Sequence, residues 1–230
     1  IRDRYTFQFG PLWTYLPQFL HGLGLTMLLS AVGIFGGVAL GIGIAVLSTL
    51  PSMLLRVLTR CYVEAMRNTP LLVQIFVVFF GLPSLGIRLS PLTSVMIALV
   101  ANNAGYIAEI VRAGIQSTHR SQIEAAESLG MTLPQTLRFV VLPPALEKVL
   151  TPMVSQCVLL MLSTSLVSAI GVEDLTGAGM LASAETFRTM EVYLVIALVY
   201  VALNFAVRAM LSGLGLILFK RSRRKLIGGA

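Results

Sequence analysis

Long uncharged stretches dominate the chain and alternate with short polar segments. No charged side chain falls within residues 5–55, and further uncharged runs cover 68–87, 89–108, 149–172 and 192–207. About 20 mostly apolar residues span a bilayer core as a helix, so four of these runs qualify outright. The fifth is cut short by Arg208 but continues through residues 209–219, which gives it length if Arg208 snorkels or faces protein. The pattern predicts an all-α membrane protein with five transmembrane helices, organised as a single transmembrane domain over residues 1–230.

Within the first span, about residues 19–47, Gly33, Gly37 and Gly41 recur every fourth position. Such a small-residue stripe lets a second helix backbone approach closely in lipid. The second segment begins with Arg60, Glu64 and Arg67 on one helical face. It then meets Thr69-Pro70, where proline removes a donor and pushes the preceding residue out of helical geometry. Thr69 as N-cap and Pro70 as first helical residue predict a fresh helix start inside the membrane domain, with Gln74 one turn on. A start of this kind directs free N–H groups inward, and a plain proline kink is the alternative.

The third segment, about residues 92–116, puts Asn102, Tyr106 and Glu109 on one face, with Asn103 beside them and Arg112 three residues beyond. Polar side chains within a span face protein or a water-filled path, so either a helix–helix clamp or a substrate contact fits. The fourth span, near residues 148–170, carries a polar band at Ser163, Thr164, Ser165 and Ser168. The loop over 171–189 has room for a short surface helix.

Residues 117–146 separate the third and fourth spans and read as two short helices. Ser121 to Glu124 and Thr132 to Gln135 have capping-box spacing, Gly130 is a helix stop between them, and Pro143-Pro144 is expected to end the second helix. Ala125 and Ala126 permit close docking of the first.

Composition sharpens the class. Only 12% of the 230 residues are charged, against about a quarter in soluble domains, and mean hydropathy is +0.86. The net charge of +7 is mostly topological. Arg56, Arg60, Arg112, Arg120, Arg138 and Lys148 fall on one side with the tail Lys220, Arg221, Arg223, Arg224 and Lys225. Arg2, Arg4, Arg88 and Arg188 fall on the other, so the N-terminus is expected outside and the tail, 220–230, in the cytoplasm. The basic tail lacks interleaved aromatics, which argues against nucleic acid as a partner. Cys61 and Cys157 lie in apolar surroundings with no metal-ligand spacing, as expected of buried, inert thiols. The first apolar block is far too long for a cleavable signal peptide, and Ile1 in place of Met leaves some N-terminal residues expected before it.

The loop carries Glu124-Ala125-Ala126, then Gly130, then Val140-Val141-Leu142-Pro143. This spacing resembles the EAA motif of permease subunits of bacterial ABC importers, with Val140 where Ile is usual. Three more segments narrow the resemblance to the polar amino acid permeases of the histidine, glutamine and arginine type. They are Arg67-Asn68-Thr69-Pro70-Leu71-Leu72-Val73-Gln74, the run from Tyr106 to Ile115, and Thr164-Ser165-Leu166-Val167-Ser168 with Glu173-Asp174-Leu175.

The resemblance covers nearly the whole chain. It implies a type I ABC importer permease fold with a cytoplasmic coupling loop, in a multi-pass protein of the bacterial inner membrane. It also implies a second permease subunit, identical or paralogous, two ABC ATPase subunits, an external substrate-binding protein and an amino acid substrate. Glu124, Ala125, Ala126, Gly130, Leu142 and Pro143 would couple to the ATPase. Arg67, Thr69, Gln74, Asn102, Asn103, Tyr106, Glu109, Ser163, Thr164 and Ser165 are the candidates for the substrate pathway. Asn68 stands where Gly is frequent, and Leu162-Ser163 replaces a common Lys-Asp or Lys-Asn pair, so the substrate identity does not transfer.

No phosphate loop of the G-x-x-x-x-G-K-[ST] type occurs, so ATP and Mg are expected on the partner ATPase and no cofactor on this chain. The alternatives are an intramembrane enzyme and a passive channel. Against the first, the only histidines are His21 and His119, no G-x-S-x-G elbow exists, and no catalytic or metal cluster has ligand spacing. Against the second, a passive channel has no need of a glycine-hinged loop.

Overall fold

The computed structural model describes residues 6–218; Arg2, Arg4 and the cationic run from Lys220 to Lys225 lie outside them. A 3-10 turn, Gly10–Tyr15, leads into Leu16–Thr49 (α1). There follow Met53–Asn68 (α2), Leu71–Phe76 (α3), a π turn Val77–Gly81 and Leu82–Ser84 (α4). Pro91–Gln116 (α5), Arg120–Ser128 (α6) and Leu133–Thr136 (α7) come next. A second π turn, Leu137–Val141, joins α7 to Leu142–Ser163 (α8), which tightens into a 3-10 segment at Thr164–Ile170. Leu175–Thr186 (α9) and Thr189–Leu218 (α10) complete the described chain, which contains no strand.

Four helical stretches, Gly10–Thr49, Pro91–Gln116, Pro134–Ile170 and Thr189–Gly215, are long and apolar enough to cross a membrane. The pair Met53–Asn68 and Leu71–Ser84, bent by 110° at the break between them, passes the same test only when taken together. Four of the five expected spans are thus single helical stretches, and the second corresponds to this bent pair.

The break differs from the sequence expectation. Thr69 and Pro70 are both extended, with Thr69 closing α2 and Pro70 standing before the first residue of α3. The Thr69 hydroxyl donates backwards to Ala65 O at 2.8 Å. A helix end leaves its last carbonyls without intrahelical partners, and the hydroxyl satisfies one of them.

The proline pair also behaves otherwise than expected. Pro143-Pro144 does not end a helix; it lies in the first turn of α8, directly after the π turn. Leu142 N–H donates to Leu137 O, five residues back. Proline has no N–H and its ring crowds the carbonyl four residues earlier. The widened turn removes that conflict, so the helix runs on. The other π turn has the same relation to Leu82-Pro83.

The residues group into two compact units, one of Ile1–Gly33, Pro70–Leu99 and Leu160–Ala206, the other of Ile34–Thr69, Val100–Leu159 and Val207–Ala230. In the first, Leu12, Leu175, Ala182, Val192 and Ile196 form a core under α9, flanked by Phe19, Leu23 and Tyr200. Asp174 caps α9 by accepting from Gly177 N–H at 2.9 Å. A Cβ on Gly22 would come within 2.7 Å of Asp174 O.

In the second unit the glycine stripe of α1 does what its spacing predicts. A Cβ on Gly37 would lie 2.6 Å from the Asn103 side chain, and one on Gly41 would lie 2.7 Å from Ile107. These approaches are closed to any larger residue, whereas Gly43 faces open space.

Candidate functional site

The loop between α5 and α8 is built from local rules. Helix α6 closes in a Schellman arrangement: Gly130 N–H donates to Glu127 O at 2.9 Å and Met131 N–H to Ala126 O at 3.1 Å. Gly130 supplies the left-handed residue this needs, at φ 72°. A Cβ there would touch nothing, so the position demands glycine for its backbone, not for space.

The first capping box is not formed. α6 starts at Arg120, with extended His119 ahead of it and no side-chain cap. Ser121 is therefore already helical, and the Glu124 carboxylate it would have shared is paired with Arg120 at 3.0 Å. The second box keeps one arm, with Gln135 Oε1 accepting from Thr132 N–H at 2.8 Å. Lys148 Nζ donates to Ser117 O at 3.2 Å and so ties the start of α8 to the end of α5.

Ala126, Thr136, Val141 and Ala145 are buried, while Glu124, Ala125 and Leu142 are exposed. The loop thus turns one alanine of the motif inward and leaves the other, with the glutamate, on its surface. Among its described side chains the most exposed large apolar ones are Leu129 and Phe139, and the Arg138 guanidinium lies 5.6 Å from the Phe139 ring centroid. Phe139 was not singled out in the sequence, and Arg138 only as one of the orienting cations; the available signal was an aromatic flanked by a cation just before the Val-Val-Leu-Pro run.

The polar face of α5 grips the end of α2. Asn102 Nδ2 donates to Met66 O and Tyr106 OH to Arg67 O, each at 3.4 Å. With Thr69 on Ala65 O, three of the four terminal carbonyls of α2 receive side-chain donors. Glu109 takes a hydrogen bond from Arg112 Nε at 2.8 Å and lies 3.7 Å from Arg67 Nη1. Arg67 also sits 5.8 Å from the Tyr106 ring centroid. Asn103 is fully buried and accepts from Gln156 Nε2 at 3.4 Å.

Arg67, Thr69, Asn102, Tyr106 and Glu109 are therefore brought together, in the second unit. Arg56, Arg60, Glu64, Arg67, Glu109 and Arg112 line a cavity of about 570 Å³ there. Gln74, Ser163, Thr164 and Ser165 belong to the first unit, where Gln74 and Thr164 are buried and α3 meets the 3-10 segment. Thr164 and Ser165 donate to the carbonyls three residues back, at 2.7 and 2.9 Å. Among the described residues, no three His, Cys, Asp or Glu side chains form a metal cluster; Cys157 is buried as expected, whereas Cys61, expected buried, is exposed on α2.

Residues 37–214 match the family described as binding-protein-dependent transport system inner membrane component. The chain belongs to this family. It is a membrane-transport permease, and its relatives bear this out along nearly its whole length. It is 30% identical over 200 residues to the glutamine transport system permease protein GlnP of Escherichia coli (strain K12), covering 86% of this chain and 91% of that protein. It is 36% identical over 190 residues to the probable glutamine ABC transporter permease protein GlnM of Bacillus subtilis (strain 168), covering 83% and 86%. A crystal structure of an amino acid ABC transporter with histidines superposes with a TM-score of 0.85 at 33% identity, over 92% of this chain and 99% of that one. The permease has the helical membrane fold of a type I ABC importer.

Proposed function

We propose that this permease carries an amino acid, delivered by an external binding protein, and that it works beside a second permease and two ATPase subunits that bind ATP and Mg. The observation that carries the reading is the α6 helix, closed by Gly130 and followed by the Leu-Pro helix start, in a chain whose relatives are named for glutamine transport. Glu124, Ala125, Gly130, Leu142 and Pro143 set the loop's surface and shape, and Ala126 seats it on the permease. Leu129 and Phe139 are the apolar side chains that enter the ATPase groove.

The substrate is zwitterionic, and the cavity of the second unit offers both signs of charge through Arg56, Arg67, Glu64 and Glu109. Asn102 and Tyr106 hold that wall through α2; Asn103 fixes α5 against Gly37. Gln74, Ser163, Thr164 and Ser165 form the candidate path through the first unit. The N-terminus lies outside and the basic tail in the cytoplasm, in line with the distribution of Lys and Arg.

Reconstitution of the permease with its ATPase and binding protein tests this. ATP-dependent uptake of a labelled amino acid, lost without the binding protein, is expected. ATP-independent flux would favour the passive channel, and failure to retain an ATPase on purification would remove the importer reading.

A further inference from the structure

The first unit has an aromatic rim. On α1 and the turn before it, Trp13, Leu16, Leu20 and Met27 are exposed at helical spacing. On α10, Met190, Leu194, Leu198, Val201 and Phe205 form a second exposed stripe, and Phe187 stands three residues before its first member. Both stripes belong to membrane-spanning helices, and on α10 the stripe lies opposite the buried Val192 and Ile196. Each stripe begins with an aromatic ring at the helix N-terminal end: Trp13 is 72% exposed and Phe187 87%.

These two ends are tied together. Glu191, fully buried, accepts from Gln8 N–H at 3.0 Å. Arg188 donates to Thr6 O at 3.3 Å and to Gln8 Oε1 at 2.8 Å, and the Tyr15 hydroxyl donates to Glu185. The segment before α1 is thus strapped across the start of α10. It carries Phe7 and Phe9, stacked at 6.1 Å between centroids and both exposed.

Phe187 is also the one non-glycine at positive φ among the described residues, at 56°. A bulky residue there is strained, and glycine would be the unstrained choice. The ring is exposed, so packing within the chain does not compensate that conformation. Both aromatics continue exposed apolar stripes on membrane-spanning helices, which points to the membrane as their contact. Aromatic rings concentrate where acyl chains give way to headgroups.

We infer that Phe7, Phe9, Trp13 and Phe187 form a membrane-interface anchor, held as one piece by the Arg188–Glu191 strap, that sets the depth and tilt of the first unit in the bilayer.

The test uses the assembled transporter in vesicles of phosphatidylethanolamine and phosphatidylglycerol. A nitroxide is placed at Trp13→Cys, Phe187→Cys or, as a mid-span reference, Leu198→Cys, with exposed Cys61 changed to Ser. Collision with oxygen, which prefers lipid, and with a water-soluble nickel chelate gives depth. The reference should favour oxygen severalfold, and positions 13 and 187 should meet both reagents comparably, unchanged by added binding protein. Free collision with the nickel chelate alone, or shielding that appears only with the binding protein, would overturn the inference, the latter marking a protein-docking surface. In detergent, Phe187→Gly should keep or raise the melting midpoint; a lower one would mean that the ring packs within the protein, and would equally overturn it.

Discussion

Met131 donates its backbone N–H to Ala126 O at 3.1 Å across Gly130, so the helix that carries Glu124 ends at a fixed residue and angle. The surface offered by Glu124, Ala125 and Leu129 depends on that closure. Gly130→Ala forces a side chain into the left-handed region at a cost of about 1–2 kcal/mol. That is a factor of roughly 5–30 in the population of the closed turn. Uptake should fall with little change in the melting of the membrane helices, since nothing surrounds that Cβ. Normal uptake together with normal ATPase retention would show that the turn is not needed.

Glu124→Lys reverses a charge on the exposed face and places a cation beside Arg120. The present pair is exposed and contributes little to stability. Thermal melting should therefore hold while ATPase co-purification and uptake drop, and a variant that melts early without losing the ATPase would contradict this.

Asn102 and Tyr106 donate to the end of α2, so their removal acts first on that helix end. Asn102→Leu and Tyr106→Phe should each destabilise by about 1 kcal/mol, with less than additive loss in the double variant because they share one helix terminus. Arg67→Ala should weaken uptake while ATPase association survives. Unchanged apparent substrate affinity in all three would move the substrate site to other residues or to the paired permease.

The glycine stripe gives a contrast within one helix. Gly37→Ala brings a methyl within 2.6 Å of Asn103 and should cost about 1–3 kcal/mol. Gly43→Ala enters open space and should be neutral or stabilising by up to about 1 kcal/mol. Equal behaviour of the two in thermal melts would contradict the packing described for α1.

These contrasts also show which features were readable in the residues. The spans, the loop and the close approach at Gly37 and Gly41 follow from apolar length and small-residue spacing, both local quantities. The α2 break was visible at Pro70, but which helix would take the Thr69 hydroxyl depends on unsatisfied carbonyls that appear only once α2 has formed. Likewise the π turns before Leu82-Pro83 and Leu142-Pro143 are a choice of hydrogen-bond register, and polar patterning carries no register. Ser121 is not the cap because α6 already begins at Arg120, after extended His119. Leu129 and Phe139 carried no polar signature, so their exposure emerged only from the packing of the loop.

Asp174 is buried at the start of α9, and that burial raises its carboxyl above the ordinary 3.8, against hydrogen bonds from Gly177, Thr176, Tyr200 and Thr26 that pull it down. The folded state therefore binds the proton more tightly than the unfolded chain. The stability this adds is fully present below pH 3.8 and is lost as pH rises through the folded-state value. Asp174→Asn keeps an acceptor for Gly177 and should remove that pH dependence. Asp174→Ala should cost about 1 kcal/mol at neutral pH through the lost cap.

The most direct measurement is a photocrosslink from the loop. With benzoylphenylalanine at Leu129, exposed and outside the core, irradiation of membranes holding the assembled transporter should join this chain to the ATPase subunit, and Gly130→Ala should weaken the adduct. Adducts confined to lipid, or to the binding protein, would contradict the placement of the α6 loop against the ATPase.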